Sequence, residues 1–129
     1  MHRSRLTAAL FDVQADSFTA EVGFWSGAVG RGAVLEESEP DYAELEGPVA
    51  GLALMVQRIG GNQPRIHVDI ETDDVEAEVQ RLEALGATRV EKIQTWWVMR
   101  DPAGLLFCVV RVQQPDLFEA EAISWELGG

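Results

Sequence analysis

The sequence predicts an α+β fold made of two successive β-α-β-β-β units, and three observations carry that prediction. The first is an internal repeat: Gly51-Leu-Ala-Leu-Met-Val-Gln-Arg-Ile59 aligns with Gly104-Leu-Leu-Phe-Cys-Val-Val-Arg-Val112, with Arg58 and Arg111 in matching places. Matched features of the two halves recur at one spacing, roughly 53 to 56 residues, as duplicated units do. The second is a strand signature, in which Ile66, Val68 and Ile70 alternate with His67, Asp69 and Glu71. That period of two marks a half-buried strand. The third is helical: Val75, Val79, Leu82 and Leu85 form one apolar stripe at turns of a helix.

The elements follow in chain order. Leu6–Val13 reads as the opening strand, and Asp16 or Ser17 is placed to cap a helix running to about Val29. Gly30 and Gly32 end it, since glycine accepts the left-handed conformation just past a helix. Ala33–Glu36, Tyr42–Glu46 and Leu52–Ile59 supply three strands, completing a first repeat over about 6–59. Gly60-Gly61-Asn62-Gln63-Pro64 reads as a linker, 60–64.

The second repeat, about 65–113, opens on Arg65–Thr72. Asp73 or Asp74 caps its helix, Glu76 and Glu78 sit in the first turns where the helix dipole favours acids, and Gly86 stops it. Ala87–Ile93, Thr95–Arg100 and Leu105–Gln113 follow as strands, with Asp101-Pro-Ala-Gly104 as the turn between the last two. The tail 114–129 lies outside the repeat and carries Leu117, Phe118, Ile123, Trp125 and Leu127. So much apolar surface predicts docking, on the domain or on a partner subunit.

Composition narrows function. With 129 residues, 47% of them hydrophobic, the chain suits one domain, 1–129. Ten Lys and Arg face 22 Asp and Glu, a net charge of −12, and Lys92 is the single lysine. Phosphate backbones bind through clustered cations, so nucleic acid and anionic membrane are not expected as partners. A neutral or cationic small molecule is. No apolar run has the roughly 18 residues that span a membrane. Leu6–Phe11 is too short for a signal segment, and a cytoplasmic location is expected. One cysteine, Cys108, excludes an internal disulfide and a cysteine-based zinc cluster.

Two β-α-β-β-β units whose second opens on His67-Val-Asp-Ile-Glu-Thr-Asp-Asp74 resemble the vicinal oxygen chelate superfamily, and within it the glyoxalase-like and bleomycin-resistance-like small bacterial proteins. The shared stretches are Arg65–Ala87, Trp97-Val-Met-Arg-Asp-Pro-Ala-Gly104 and Phe107-Cys-Val-Val110, with weaker matches at Phe24-Trp25 and Val56-Gln57-Arg58. The resemblance implies mixed sheets that curl around a shared cavity. It also implies, in enzymatic members, a divalent metal chelating two neighbouring substrate oxygens.

Carried over position by position, that metal site is depleted. His67 matches the histidine opening the second unit. The carboxylate of the last strand falls on Cys108, its first-unit counterpart on Met55, and the first-strand ligand near Ala9 or Leu10, with Asp12 the nearest carboxylate. A catalytic metal normally wants at least three protein ligands. The expectation is therefore a small-molecule binding protein, its cavity walled by Met55, Gln57, His67, Asp69, Trp97 and Cys108, with Tyr42 and Glu44 at the mouth. No cofactor is expected. The alternative is a divalent metal held in a remodelled site centred on His67, making a metal-dependent lyase, isomerase or dioxygenase. Trp25 is expected in the core, Cys108 as a small buried hydrophobe, and His67 facing the cavity in a non-metal role, the plainer alternative being a partly buried histidine tied to a neighbour such as Asp69 or Glu71. A homodimer is expected from the resemblance.

Overall fold

The computed structural model describes residues 1–61 and 63–126, with Pro48 and Val49 described by backbone alone. Asn62 of the linker and Leu127–Gly129 of the tail therefore lie outside the described residues. The chain divides into two compact units, Ala8–His67 and a second formed by Met1–Thr7 with Val68–Gly129. Strands β1 (His2–Gln14) and β5 (Arg65–Thr72) each run through the division.

In the Ala8–His67 unit, β1 is followed by α1 (Phe18–Val29), β2 (Ala33–Leu35), β3 (Tyr42–Val49) and β4 (Leu52–Ile59). The strands lie in the order β2-β3-β4-β1, with β1 and β4 parallel and the other pairs antiparallel. Helix α1 puts Phe18 and Val22 against Val13, Ala43 and Val56, and Phe11 and Trp25 pack on this cluster. The Phe11 and Trp25 rings stack at 4.3 Å, so Trp25 is a core residue as the sequence suggests. Because Phe11 and Val13 face α1, strand alternation turns Leu10 and Asp12 to the opposite face.

The start of α1 differs from the prediction. A 3-10 turn, Ala15–Ser17, precedes the helix, and Ser17 at its N-cap makes no capping bond with its side chain. The end agrees: Gly30 takes the left-handed conformation, φ 70° and ψ 33°, which closes α1.

In the second unit, β5 leads through α2 (Val75–Ala84), β6 (Thr88–Ile93), β7 (Trp96–Arg100) and β8 (Leu106–Arg111) to α3 (Pro115–Glu121) and β9 (Ile123–Trp125). The order is β1-β5-β8-β7-β6, with β9 on the first residues of β1. β5 and β8 are parallel, repeating the β1/β4 pairing. Helix α2 lays Val79 and Leu82 on Met99, Phe107 and Val109, and Val68, Ile70, Val75, Ala87 and Trp97 pack around them. Asp74 caps it, accepting from the Ala77 amide at 3.0 Å. Leu85, predicted to complete the buried stripe, is 68% exposed: the helix ends at Ala84 and Leu85 is its C-cap. Gly86 follows at φ 112°, where a side chain would also press on Pro102 at 3.2 Å.

β1 begins at His2, well before the predicted Leu6. The reason is tertiary, because the polar residues that hid this strand are buried with partners. His2 Nε2 lies 2.7 Å from Glu78 Oε1, and Ser4 accepts from the Trp125 indole at 3.0 Å. The tail docks within its own unit through β9, with His2 opposite Trp125 and Ser4 opposite Ile123. Arg3 binds Asp73 and Glu119, and the Arg81 guanidinium lies 3.8 Å from the Trp125 ring centroid. No described helix is long and apolar enough to cross a membrane.

Candidate functional site

On the face of the Ala8–His67 sheet away from α1, the registers align two rows of side chains. Tyr42, Gln57 and Asp12 stand opposite one another across β3, β4 and β1. Glu44, Met55 and Leu10 form the next row. The four first-repeat residues predicted to meet a ligand, Tyr42, Glu44, Met55 and Gln57, therefore share one face. The Gln57 amide donates to the Tyr42 hydroxyl at 3.0 Å.

His67 is held in this unit by Asp12, the partner not foreseen. Its Nδ1 lies 2.5 Å from Asp12 Oδ2, and Arg65 Nε reaches the same oxygen at 3.3 Å. A carboxylate only accepts, so the imidazole Nδ1–H donates. Asp12 is 1% exposed, and its Oδ1 is buried without a hydrogen bond among the described residues. The signal for Asp12 was present in the sequence as the one carboxylate in a mostly apolar strand, where an acid is costly unless paired.

In the second unit, Asp69 stands opposite Cys108 and Glu71 opposite Val110. Val98 is also opposite Cys108, which places Trp96 on that face by alternation and Trp97 on the other. Trp97 is thus corrected as a cavity wall. It lies opposite Val109, packs with the α2 core, and the Arg89 guanidinium sits 4.9 Å from its ring centroid. The flanking Val98 and Met99 are both apolar, so the sequence alone could not tell the two tryptophans apart. Glu71 is committed to structure: its Oε1 accepts the Gln113 and Gln114 amides at 2.6 and 2.9 Å, and its Oε2 lies 3.0 Å from Arg5 Nε. A depression of about 320 Å³ at Gln114, Pro115, Asp116 and Leu117 borders none of the predicted ligand residues.

The registers also correct the position of the first-strand ligand. Leu10 pairs with Met55 as Asp69 pairs with Cys108, so His67 corresponds to Ala8, not to Ala9 or Leu10. Alanine and Met55 supply no hard donor. Within the second unit, Asp69 on β5 and Cys108 on β8 are register partners that offer a carboxylate and a thiol.

A family model described as a glyoxalase-like domain matches residues 8–110. Among solved structures, the Mn(II)-bound glyoxalase from Novosphingobium aromaticivorans is 22% identical, with 84% of this chain covered, 39% of that one and a TM-score of 0.58. A hypothetical protein from Bacillus halodurans C-125 is 10% identical over 86% of this chain and 96% of its own, at TM-score 0.61. Methylmalonyl-CoA epimerase from Mycobacterium tuberculosis is 12% identical over 86% and 90%, at TM-score 0.56. No curated protein matches the sequence. Identities this low speak for the fold. Two β-α-β-β-β units in parallel β1/β4 and β5/β8 registers, with the family model spanning both, make the chain a member of the glyoxalase-like domain family of the vicinal oxygen chelate superfamily.

Proposed function

We propose that the protein binds a small neutral or cationic molecule on the Tyr42, Glu44, Met55 and Gln57 face beside His67, without the full metal site of its superfamily. One observation carries this reading. Of the four positions where the resemblance expects metal ligands, the registers put Ala8 and Met55 at two, and neither offers a hard oxygen or nitrogen donor. The face combines apolar Met55 and Leu10 with a few convergent polar groups, the usual composition of a small-molecule site. The acids Glu44 and Asp12, in a chain of net charge −12, favour a ligand that is not an anion.

Native mass spectrometry of freshly purified protein tests this. The expected result is a co-purified organic molecule that Gln57→Ala or Tyr42→Phe releases, on a homodimer. One metal ion per chain, lost on His67→Ala, would overturn it.

The register pairing of Asp69 with Cys108 in the second unit favours a second reading, a divalent metal that takes a carboxylate and a thiol there as ligands. Such an ion would supply Lewis acidity to a substrate oxygen. An ion that binds only the native state raises its melting temperature. This reading therefore expects zinc to raise Tm in the parent protein but not in Cys108→Ser, and equal Tm values with and without zinc would reject it.

A further inference from the structure

We infer that strand β2 is a pairing edge for a second copy of this chain, with the Ala33–Leu35 strands of two copies aligned antiparallel about a two-fold axis at Val34. The homodimer expected above has no surface assigned to it, and this one needs no ligand.

β2 is the outer strand of the Ala8–His67 unit, bonded on one side to β3 and to no other described strand. One bond fixes the direction of its backbone groups. The Glu46 amide donates to the Gly32 carbonyl at 2.8 Å, and Val34 stands opposite Glu44 two residues along. Gly32 and Val34 therefore turn their N–H and C=O groups to β3, and Ala33 and Leu35 turn theirs outward, where no described backbone group meets them. In an antiparallel pair centred on Val34, Ala33 of one copy stands opposite Leu35 of the other. Both residues carry outward groups, so each such pair exchanges both N–H···O bonds, and the two-fold axis closes the assembly at a dimer.

The side chains favour the same arrangement. Val34 is 46% exposed on one face of the edge and Leu35 61% on the other. β6, the outer strand of the other unit, instead carries Arg89, Glu91 and Lys92 and a register shift between Arg89 and Glu91, devices that keep an edge from pairing. β2 has neither. Charges of opposite sign flank it, Arg31 before and Glu36 and Glu37 after. Antiparallel pairing about Val34 brings Arg31 of one copy to Glu37 of the other, whereas a parallel pair would set acids on acids. Arg31 donates through Nη1 to the Glu46 and Gly47 carbonyls and has no described carboxylate partner, so its charge is available to the opposing acid.

Sedimentation equilibrium of the full-length protein across a concentration series, with no ligand added, tests this. The parent is expected to dimerise. Ala33→Pro removes an outward N–H and no bond to β3, so the circular dichroism spectrum should stay that of the parent while dimerisation weakens about tenfold or more. Glu37→Arg sets guanidinium groups against each other across the axis, and Arg31→Glu sets carboxylates against each other. Each alone should weaken self-association, and mixing the two should restore it as a heterodimer that native mass spectrometry resolves by mass. Should Arg31→Glu fail to fold, Ala33→Pro and Glu37→Arg still decide. Phe24→Glu, on the exposed side of α1, is expected to leave the dimer unchanged. A monomeric parent would overturn the inference, as would a dimer that Ala33→Pro leaves intact or that Phe24→Glu alone dissolves. Subunit count and bound organic mass are separate readouts, so failure of the binding reading does not carry over.

Discussion

Asp12 and Glu71 occupy matching places in the two units, since Asp12 pairs with Gln57 on β4 and Glu71 with Val110 on β8, and those partners align in the repeat. Both acids are buried, at 1% and 0% exposure. Their partners differ in kind. Glu71 fastens backbone, taking the Gln113 and Gln114 amides ahead of α3 and facing the buried Arg5. Asp12 takes side chains, the His67 ring and Arg65. One position of a duplicated fold thus fastens main-chain amides in one unit and side chains in the other. Burial and charge alone do not reveal which role an acid plays; the identity of its donors does.

The sharpest way to break this comparison is to remove both acids and weigh the losses. Glu71→Ala removes the buried carboxylate beside the Arg5 Nε, whose side chain is 5% exposed, and takes the acceptor from the Gln113 and Gln114 amides. Breaking a buried pair by removing one partner costs about 3–5 kcal/mol, read as a lower urea midpoint. Asp12→Asn keeps an acceptor in place and should cost only about 1 kcal/mol. Equal losses for the two variants would erase the distinction.

A second test concerns acid. The described carboxyls held below their ordinary range, Asp73, Glu76, Glu78 and Glu119, all belong to the second unit. For Glu78, burial alone pushes the carboxyl up, but bonds from Arg81, His2 and Ser4 outweigh it and hold it below 4.5. A depressed folded value means that its stabilisation is present above 4.5 and is lost as pH falls through that lower value. Amide protection in α2 and in the first residues of β1 should therefore decline below pH 4.5, and Glu78→Gln should flatten that part of the decline. An identical acid profile in the variant would show that Glu78 contributes nothing to it.

The smallest expected effect compares the two long helices. Asp74→Ala removes the cap on Ala77 and should cost about 1 kcal/mol in thermal or urea unfolding. Ser17→Ala removes no capping bond, and its unfolding midpoint should match the parent's.

Element order and the repeat were legible because periodicity and punctuation are local. His67, Asp69 and Glu71 alternate against Ile66, Val68 and Ile70, and glycine marks both helix ends. Three features were not legible in this way. The first residues of β1 look polar because the partners of His2 and Ser4, Glu78 and Trp125, stand far along the chain. The face of Trp97 is set by its pairing with Val109, and that of Asp12 by its pairing with Gln57.

What the sequence by itself determined is the α+β class, the duplication and its family, because hydrophobic spacing and turn chemistry act over a few residues. Only the tertiary structure decided that Asp12, rather than Asp69 or Glu71, binds the His67 Nδ1, and that Ala8 stands where a first-strand ligand would. Those facts depend on register, and a shift of one residue sends every side chain of a strand to its other face.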